Sequence, residues 1–141
     1  MLKSTVLGLM LALASLPAAA EDARTRLDLP PEIRELFLEE MRNHMAALDG
    51  VIQLLAAGQT KEAGALARKE MAIGRGKGIG RYMPIEFREL GLAYHRSAEE
   101  FARLTESIPA KPSAEQWVQV LGGIAAITAN CAGCHGVFRA Q

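Results

Sequence analysis

The sequence predicts an all-α fold, an up-down-up-down antiparallel four-helix bundle. Three features of the 141 residues support this class. Several long segments space their apolar residues by three and four, as one face of a helix requires. No segment shows the alternating β-branched pattern that is typical of a strand. Glycine or proline separates the periodic segments and predicts the connections between helices.

Residues 1–20 have the layout of a secretory signal peptide, with Lys3 before an apolar run and small residues at Ala18–Ala20. The run is shorter than the roughly 20 residues that a spanning helix needs. We therefore expect cleavage before Glu21, with an uncleaved anchor as the alternative. We expect no membrane span in the remainder and a periplasmic location.

Residues 21–141 have the size of one domain. The chain holds 16 basic and 16 acidic residues, so removal of Lys3 leaves it about one unit negative. Nucleic acid is therefore not expected as a partner.

The first two helices are expected after Pro30-Pro31 and from Thr60, as N-cap, to about Ile73. Gly58 is expected to end the first helix. The apolar stripe of the first helix comprises Ile33, Leu36, Phe37, Met41, Met45, Leu48, Ile52 and Leu55. Residues 74–80 have glycine at every second position, which costs a helix about 1 kcal/mol per glycine relative to alanine. A loop is predicted there, and no strand precedes it as a phosphate-binding loop requires.

The third helix is predicted from about Pro84 to Ser107, before Pro109 and Pro112 break the chain. Its inner face comprises Phe87, Leu90, Tyr94, Phe101 and Leu104. Ser113 and Gln116 form a capping-box pattern that opens the fourth helix. This helix is expected to continue past Phe138.

Cys131-Ala-Gly-Cys134-His135 is a C-x-x-C-H motif, which attaches c-type haem. Residues three and four apart share a helix face, so both thiols can reach one haem edge while the imidazole turns toward iron. A redox dithiol would sit at a helix N-terminus after a strand, and structural zinc needs about four ligands. Both alternatives fit less well.

The two cysteines also continue the seven-residue spacing of the fourth helix and are predicted to face the bundle interior. One row comprises Trp117, Ile124, Cys131 and Phe138, and the other comprises Val120, Ile127 and Cys134.

The C-terminal C-x-x-C-H-x-x-F-R run from Cys131 to Arg139, the stretch Met41–Met45 and the four-helix layout resemble the class II cytochromes c, the cytochrome c′ and cytochrome c-556 group. The resemblance implies one covalent haem c between the first and last helices. Members with a methionine on the first helix have six-coordinate iron, as in c-556. Members with an apolar blocker have five-coordinate iron that binds small gases. The glycine-rich loop departs from the family pattern.

His135 is the expected proximal iron ligand. Its counterpart should lie within the first turns of the antiparallel first helix, and Met41 is about 15 Å along it at 1.5 Å per residue. The resemblance also places the methionine ligand at Met41. Met45, His44, an open site, or methionines that only fill the core are the alternatives.

Two further side chains have open roles. His95 is expected to be a packing residue rather than a ligand. Arg139 lies beside the haem, as the resemblance implies, or is a cation that stabilises the helix C-terminus.

We expect a periplasmic carrier of single electrons between redox proteins, and not an enzyme. The alternative is a five-coordinate binder of NO or CO. A peroxidase would need a distal acid–base group, for which His44 is poorly placed. A homodimer is possible by the resemblance alone.

Overall fold

The computed structural model describes residues 21–73 and 78–140. The expected signal peptide and most of the predicted glycine-rich loop, residues 74–77, lie outside the described residues. The described chain is mostly helical and holds four α-helices, which confirms the all-α prediction. They are α1 (Pro31–Ala56), α2 (Thr60–Met71), α3 (Ile85–Ser107) and α4 (Ala114–Val137). A short 3-10 helix, Ile79–Tyr82, occupies the end of the predicted loop.

Helix ends follow local chemistry. Pro31 opens α1, where its missing N–H has no helical partner. The capping box is confirmed, since Gln116 N donates to Ser113 Oγ at 3.3 Å and Ser113 N donates to Gln116 Oε1 at 2.8 Å. The prediction that Thr60 is an N-cap is wrong. Gln59 holds that position, and Thr60 is the buried first residue of α2.

Two short strands correct the expectation that the chain has none. β1 (Thr25–Arg26) pairs in parallel with β2 (Phe138–Arg139), with Thr25 opposite Phe138. The expectation that the last helix continues past Phe138 is also wrong, because Phe138 has an extended backbone. Two-residue strands are too short to show alternation, and their pairing joins the two ends of the described chain.

The helices pack in chain order: α1 on α2, α2 on α3, and α3 on α4. Among the described residues, α1 and α4 form no comparable contact. The main core lies between the packed faces, and its fully buried large side chains include Val51, Met71, Phe101, Ile108, Val120 and Ile127.

The buried face of α1 differs from the predicted stripe. Phe37 and Leu55 are buried as expected, but Met45 and Ile52 are 64% and 46% exposed. Ala47 and Val51 are buried instead. The buried face of α1 thus includes two smaller side chains, Ala47 and Val51, that the predicted stripe left out. The spacing of the large apolar residues alone therefore placed the centre of this face incorrectly.

A second apolar cluster closes one end of the fold. Leu27, Phe37, Met83 and Phe138 are its buried members. The ring of Phe87 meets Phe37 and Phe138 edge-on, with centroids 5.6 and 5.4 Å apart. This cluster fixes the segment before α1 and the segment after α4 to the same end of the molecule.

Within residues 21–73 and 78–140, one helix, α4, is long and apolar enough to cross a membrane by length and composition. This finding differs from the expectation that no segment after the leader has that character. A single helix of this kind is weak evidence for a span, and only 11% of its apolar window is buried within the fold.

Candidate functional site

The C-x-x-C-H motif lies in the last two turns of α4. Val120 and Ile127, earlier in the row of Cys134, are fully buried, and Trp117 and Ile124, earlier in the row of Cys131, are partly buried against the main core. Cys131 is half-buried against the main core and Cys134 is half-buried against the second cluster. The predicted inward direction of the two rows is therefore confirmed. His135, one position further round the helix, is exposed.

Both cysteines are free thiols. Burial raises the pKa of the Cys131 thiol, and burial together with the neighbouring Cys131 raises the pKa of the Cys134 thiol. A catalytic dithiol needs the opposite shift, since the thiolate is the reactive form. The described residues also contain no group of three or more His, Cys, Asp or Glu that could hold a metal ion.

Glycines flank the histidine on both sides. A Cβ added at Gly133 or at Gly136 would meet nothing within 4 Å, so close packing does not require either glycine. Each costs the helix about 1 kcal/mol relative to alanine. The last turn of α4 is thus intrinsically weak where it presents His135.

A cavity of about 940 Å³ opens beside the motif. Such a volume lies at the upper end of the roughly 300–1,000 Å³ typical of cofactor and ligand sites. Side chains from all four helices border it. The lining side chains that carry sulfur, imidazole or phenol groups include Met41, His44, Tyr94, Cys131, Cys134 and His135.

A second cavity of about 430 Å³ lies next to His135. Met41, Cys134 and His135 border both cavities. These three of the predicted haem residues are therefore brought together from α1 and α4, although the two helices are not closely packed.

The two methionines of α1 have different surroundings. Met41 is half-buried against the second apolar cluster, which also contacts Cys134. Met45 borders the larger cavity only, and its side chain is 64% exposed. Met41 is thus the better placed of the two toward His135.

The rings of His44, Tyr94 and His95 pack together on the cavity wall. The His44 ring lies 4.7 Å from the Tyr94 ring and 5.6 Å from the His95 ring. Burial, and secondarily the nearby His95, lowers the pKa of His44 to about 4, so it is neutral at pH 7. His95 Nδ1 donates to the carbonyl oxygen of Met71 at 2.7 Å, at the end of α2. This bond supports the packing role predicted for His95.

The Tyr94 hydroxyl is buried and has no hydrogen-bond partner among the described residues. Burial raises the pKa of Tyr94, so the hydroxyl keeps its proton. Tyr94 was predicted to lie on an inner helix face, but not to be a site residue. An inward tyrosine at helical spacing is usually core, so no sequence signal marked it.

Arg139 belongs to an ion network with the start of the described chain. Its Nε lies 3.7 Å from Asp22 Oδ2 and donates to the Arg24 carbonyl oxygen at 3.4 Å. Asp22 and Arg24 form a salt bridge of 2.7 Å. Arg24 Nη1 also donates to the carbonyl oxygen of His135 at 3.2 Å. Asp22 and Arg24 were not predicted to be near the site, because no local sequence pattern joins them to the C-x-x-C-H motif.

Comparisons with known proteins identify no relative: no family model, curated protein or solved structure matches this chain.

Proposed function

We propose that this chain is a periplasmic monohaem c-type cytochrome of the class II type, which carries single electrons between redox proteins. One observation carries the proposal: both thiols and the imidazole of C-x-x-C-H border the same large cavity.

The residues around the cavity fit a haem c group. Cys131 and Cys134 are free and half-buried, as two thiols that add to vinyl groups inside a fold should be. The volume is sufficient for a cofactor. The unpartnered Tyr94 hydroxyl is a buried donor that a group filling the cavity can use.

The proposal includes the antiparallel course of the four helices and a haem between α1 and α4. Every other pair of neighbouring helices packs closely, whereas α1 and α4 do not. Met41 from α1 and His135 from α4 both border the two cavities. A bundle whose first and last helices pack this loosely has room between them for a flat group.

In this proposal His135 and Met41 would hold the haem iron, and Arg139 would lie beside the haem. When bound, the haem supplies a reversible one-electron couple. A histidine–methionine pair favours the ferrous state relative to two nitrogen ligands. The second apolar cluster around Met41 would limit water at a bound haem and thereby influence its potential.

Absorption spectroscopy of the purified mature protein tests the proposal. We expect a Soret band, pigment that acidic acetone does not extract, and a low-spin ferrous spectrum with sharp α and β bands. A double Cys131→Ser, Cys134→Ser variant produced in parallel is the control and should release any haem. Absence of a Soret band contradicts the proposal. A high-spin ferric spectrum with rapid CO binding to the ferrous form would contradict electron transfer by six-coordinate iron and would support the gas-binding function instead.

A further inference from the structure

The segment before α1 forms a strap across the end of α4. This strap, Asp22–Leu27, runs beside Phe138 and Arg139 as a parallel strand. Leu27 N donates to the Arg139 carbonyl oxygen at 2.8 Å. The Leu27 side chain is 4% exposed and packs in the second apolar cluster. Leu27 is therefore the anchor of the strap.

The polar part of the strap reaches the motif itself. The carbonyl groups of the last helical turn have no partner within a helix. Arg24 Nη1 donates a hydrogen bond to the carbonyl oxygen of His135. The same guanidinium is held by the Asp22 carboxylate, to which its Nε and Nη2 donate at 2.9 and 2.7 Å. Arg139 extends the network from the other side, toward Asp22 and the Arg24 carbonyl.

This support comes where α4 is weakest. His135 lies in the last turn, between Gly133 and Gly136, and its side chain is exposed. Glycine leaves the backbone freer to adopt non-helical conformations. A ligand on such a turn needs a tertiary contact to keep one orientation.

We propose that Arg24 is a positioning residue for the iron ligand: held by Asp22, it fixes the His135 peptide group and thereby the direction of the imidazole. The inference rests on the proposed function for its haem part. The strap is then a support that acts through the backbone of His135, without contact to the iron.

The chain offers a matched control on the same strand. Arg26 also forms a salt bridge with a carboxylate two residues away, Asp28, at 2.7 Å. Among the described residues, the Arg26 side chain bonds to Asp28 and forms no hydrogen bond or salt bridge with α4. Arg24→Gln and Arg26→Gln therefore remove similar charges and similar local ion pairs, and they differ in the contact to His135.

Two measurements on the full mature protein test the inference. The first is amide hydrogen exchange at Phe138, whose N–H bonds to the Cys134 carbonyl, and at Leu27. Arg24→Gln should speed exchange at both by about 2- to 10-fold, as loss of one hydrogen bond predicts. Arg26→Gln should leave it unchanged.

The second measurement is the ferric electron paramagnetic resonance spectrum, because its g-values depend on axial-ligand orientation. Arg24→Gln should broaden or shift the g-values with both thioether bonds intact. Arg24→Lys should give an intermediate spectrum, since lysine keeps a donor but loses the two-point contact with Asp22. Arg26→Gln should match the parent protein.

Identical results for Arg24→Gln and Arg26→Gln overturn the inference. Faster exchange without any change at the iron also overturns it, since the strap would then be structural only. If no haem is attached, the proposed function fails instead, and the exchange measurement still decides whether Arg24 holds the end of α4.

Discussion

Met41 on α1 and His135 on α4 border the same two cavities, although their helices are not packed closely together. The Met41 side chain is half-buried in the second apolar cluster, while the His135 side chain is exposed on a helical turn that contains Gly133 and Gly136. This asymmetry gives the two proposed ligands different environments: Met41 has a packed position, and His135 depends on contacts outside its helix.

Replacement of Met41 by alanine should convert a low-spin ferric spectrum into a high-spin one and allow CO to bind rapidly to ferrous iron. The reason is the loss of the sulfur that borders both cavities with His135. Absorption spectra and CO titration measure the change. Met45→Ala is the control, because that side chain is 64% exposed, and should remain low-spin. The reverse pattern would assign the distal position to Met45.

Single replacements of Cys131 or Cys134 by serine should each leave one thioether bond. The pyridine haemochrome α band should then move to longer wavelength, because one vinyl group stays conjugated with the porphyrin. Denaturing gels stained for haem should still show pigment on both single variants, and none on the double variant. Retention of pigment by the double variant would show that these thiols do not attach it.

Gly64→Ala should destabilise the fold by about 1–3 kcal/mol or more, as overpacking in a rigid core does. Gly64 of α2 lies against Thr105 of α3, and an added Cβ would overlap the Thr105 hydroxyl and its Cβ. The Thr105 hydroxyl is held by its bond to the Ala102 carbonyl at 2.8 Å. Urea denaturation measures the effect.

Gly122→Ala is the control for that substitution. A Cβ at Gly122 would meet nothing within 4 Å, so helix propensity should stabilise this variant by up to about 1 kcal/mol. Similar free energies of unfolding for the two variants would contradict the close contact between α2 and α3.

Asp22 should make stability depend on pH at the acidic end. Its hydrogen bonds from Arg24 hold the pKa of Asp22 at about 2, below the usual value of 3.8. The stabilisation is present above pH 4 and is lost as the pH falls from about 4 to about 2, where the unfolded chain binds the proton first. The difference in Tm between the parent protein and Asp22→Asn should shrink over that range. A constant difference would contradict an ionised Asp22 in the strap.

Much of the fold could be predicted because local sequence features determine helices. The three- and four-residue spacing, Pro31 and the Ser113–Gln116 capping box depend on interactions within a few residues. The C-x-x-C-H spacing likewise fixes which side chains share a face of α4. The inward direction of both rows was confirmed by the burial of Val120 and Ile127 in one row and by the packing of Trp117 and Ile124 against the core in the other.

Other features needed the tertiary structure. Met45 and Val51 are both apolar at helix-compatible positions, and only the position of α2 and α3 decided that Val51 is buried and Met45 exposed. The strap joins Arg24 to His135 across 111 residues, a pairing that no window along the chain contains.

The sequence by itself determined the four helices. It also determined, through the C-x-x-C-H spacing, that Cys131, Cys134 and His135 lie close together at the end of the last helix. The tertiary structure decided which helices pack closely, where the cavity opens beside Cys131 and Cys134, and which segment holds the end of α4. The physical reason is range: helical hydrogen bonds and side-chain spacing act over three or four residues. Cavities and straps depend on contacts between residues far apart in the chain, which exist only after the helices have packed.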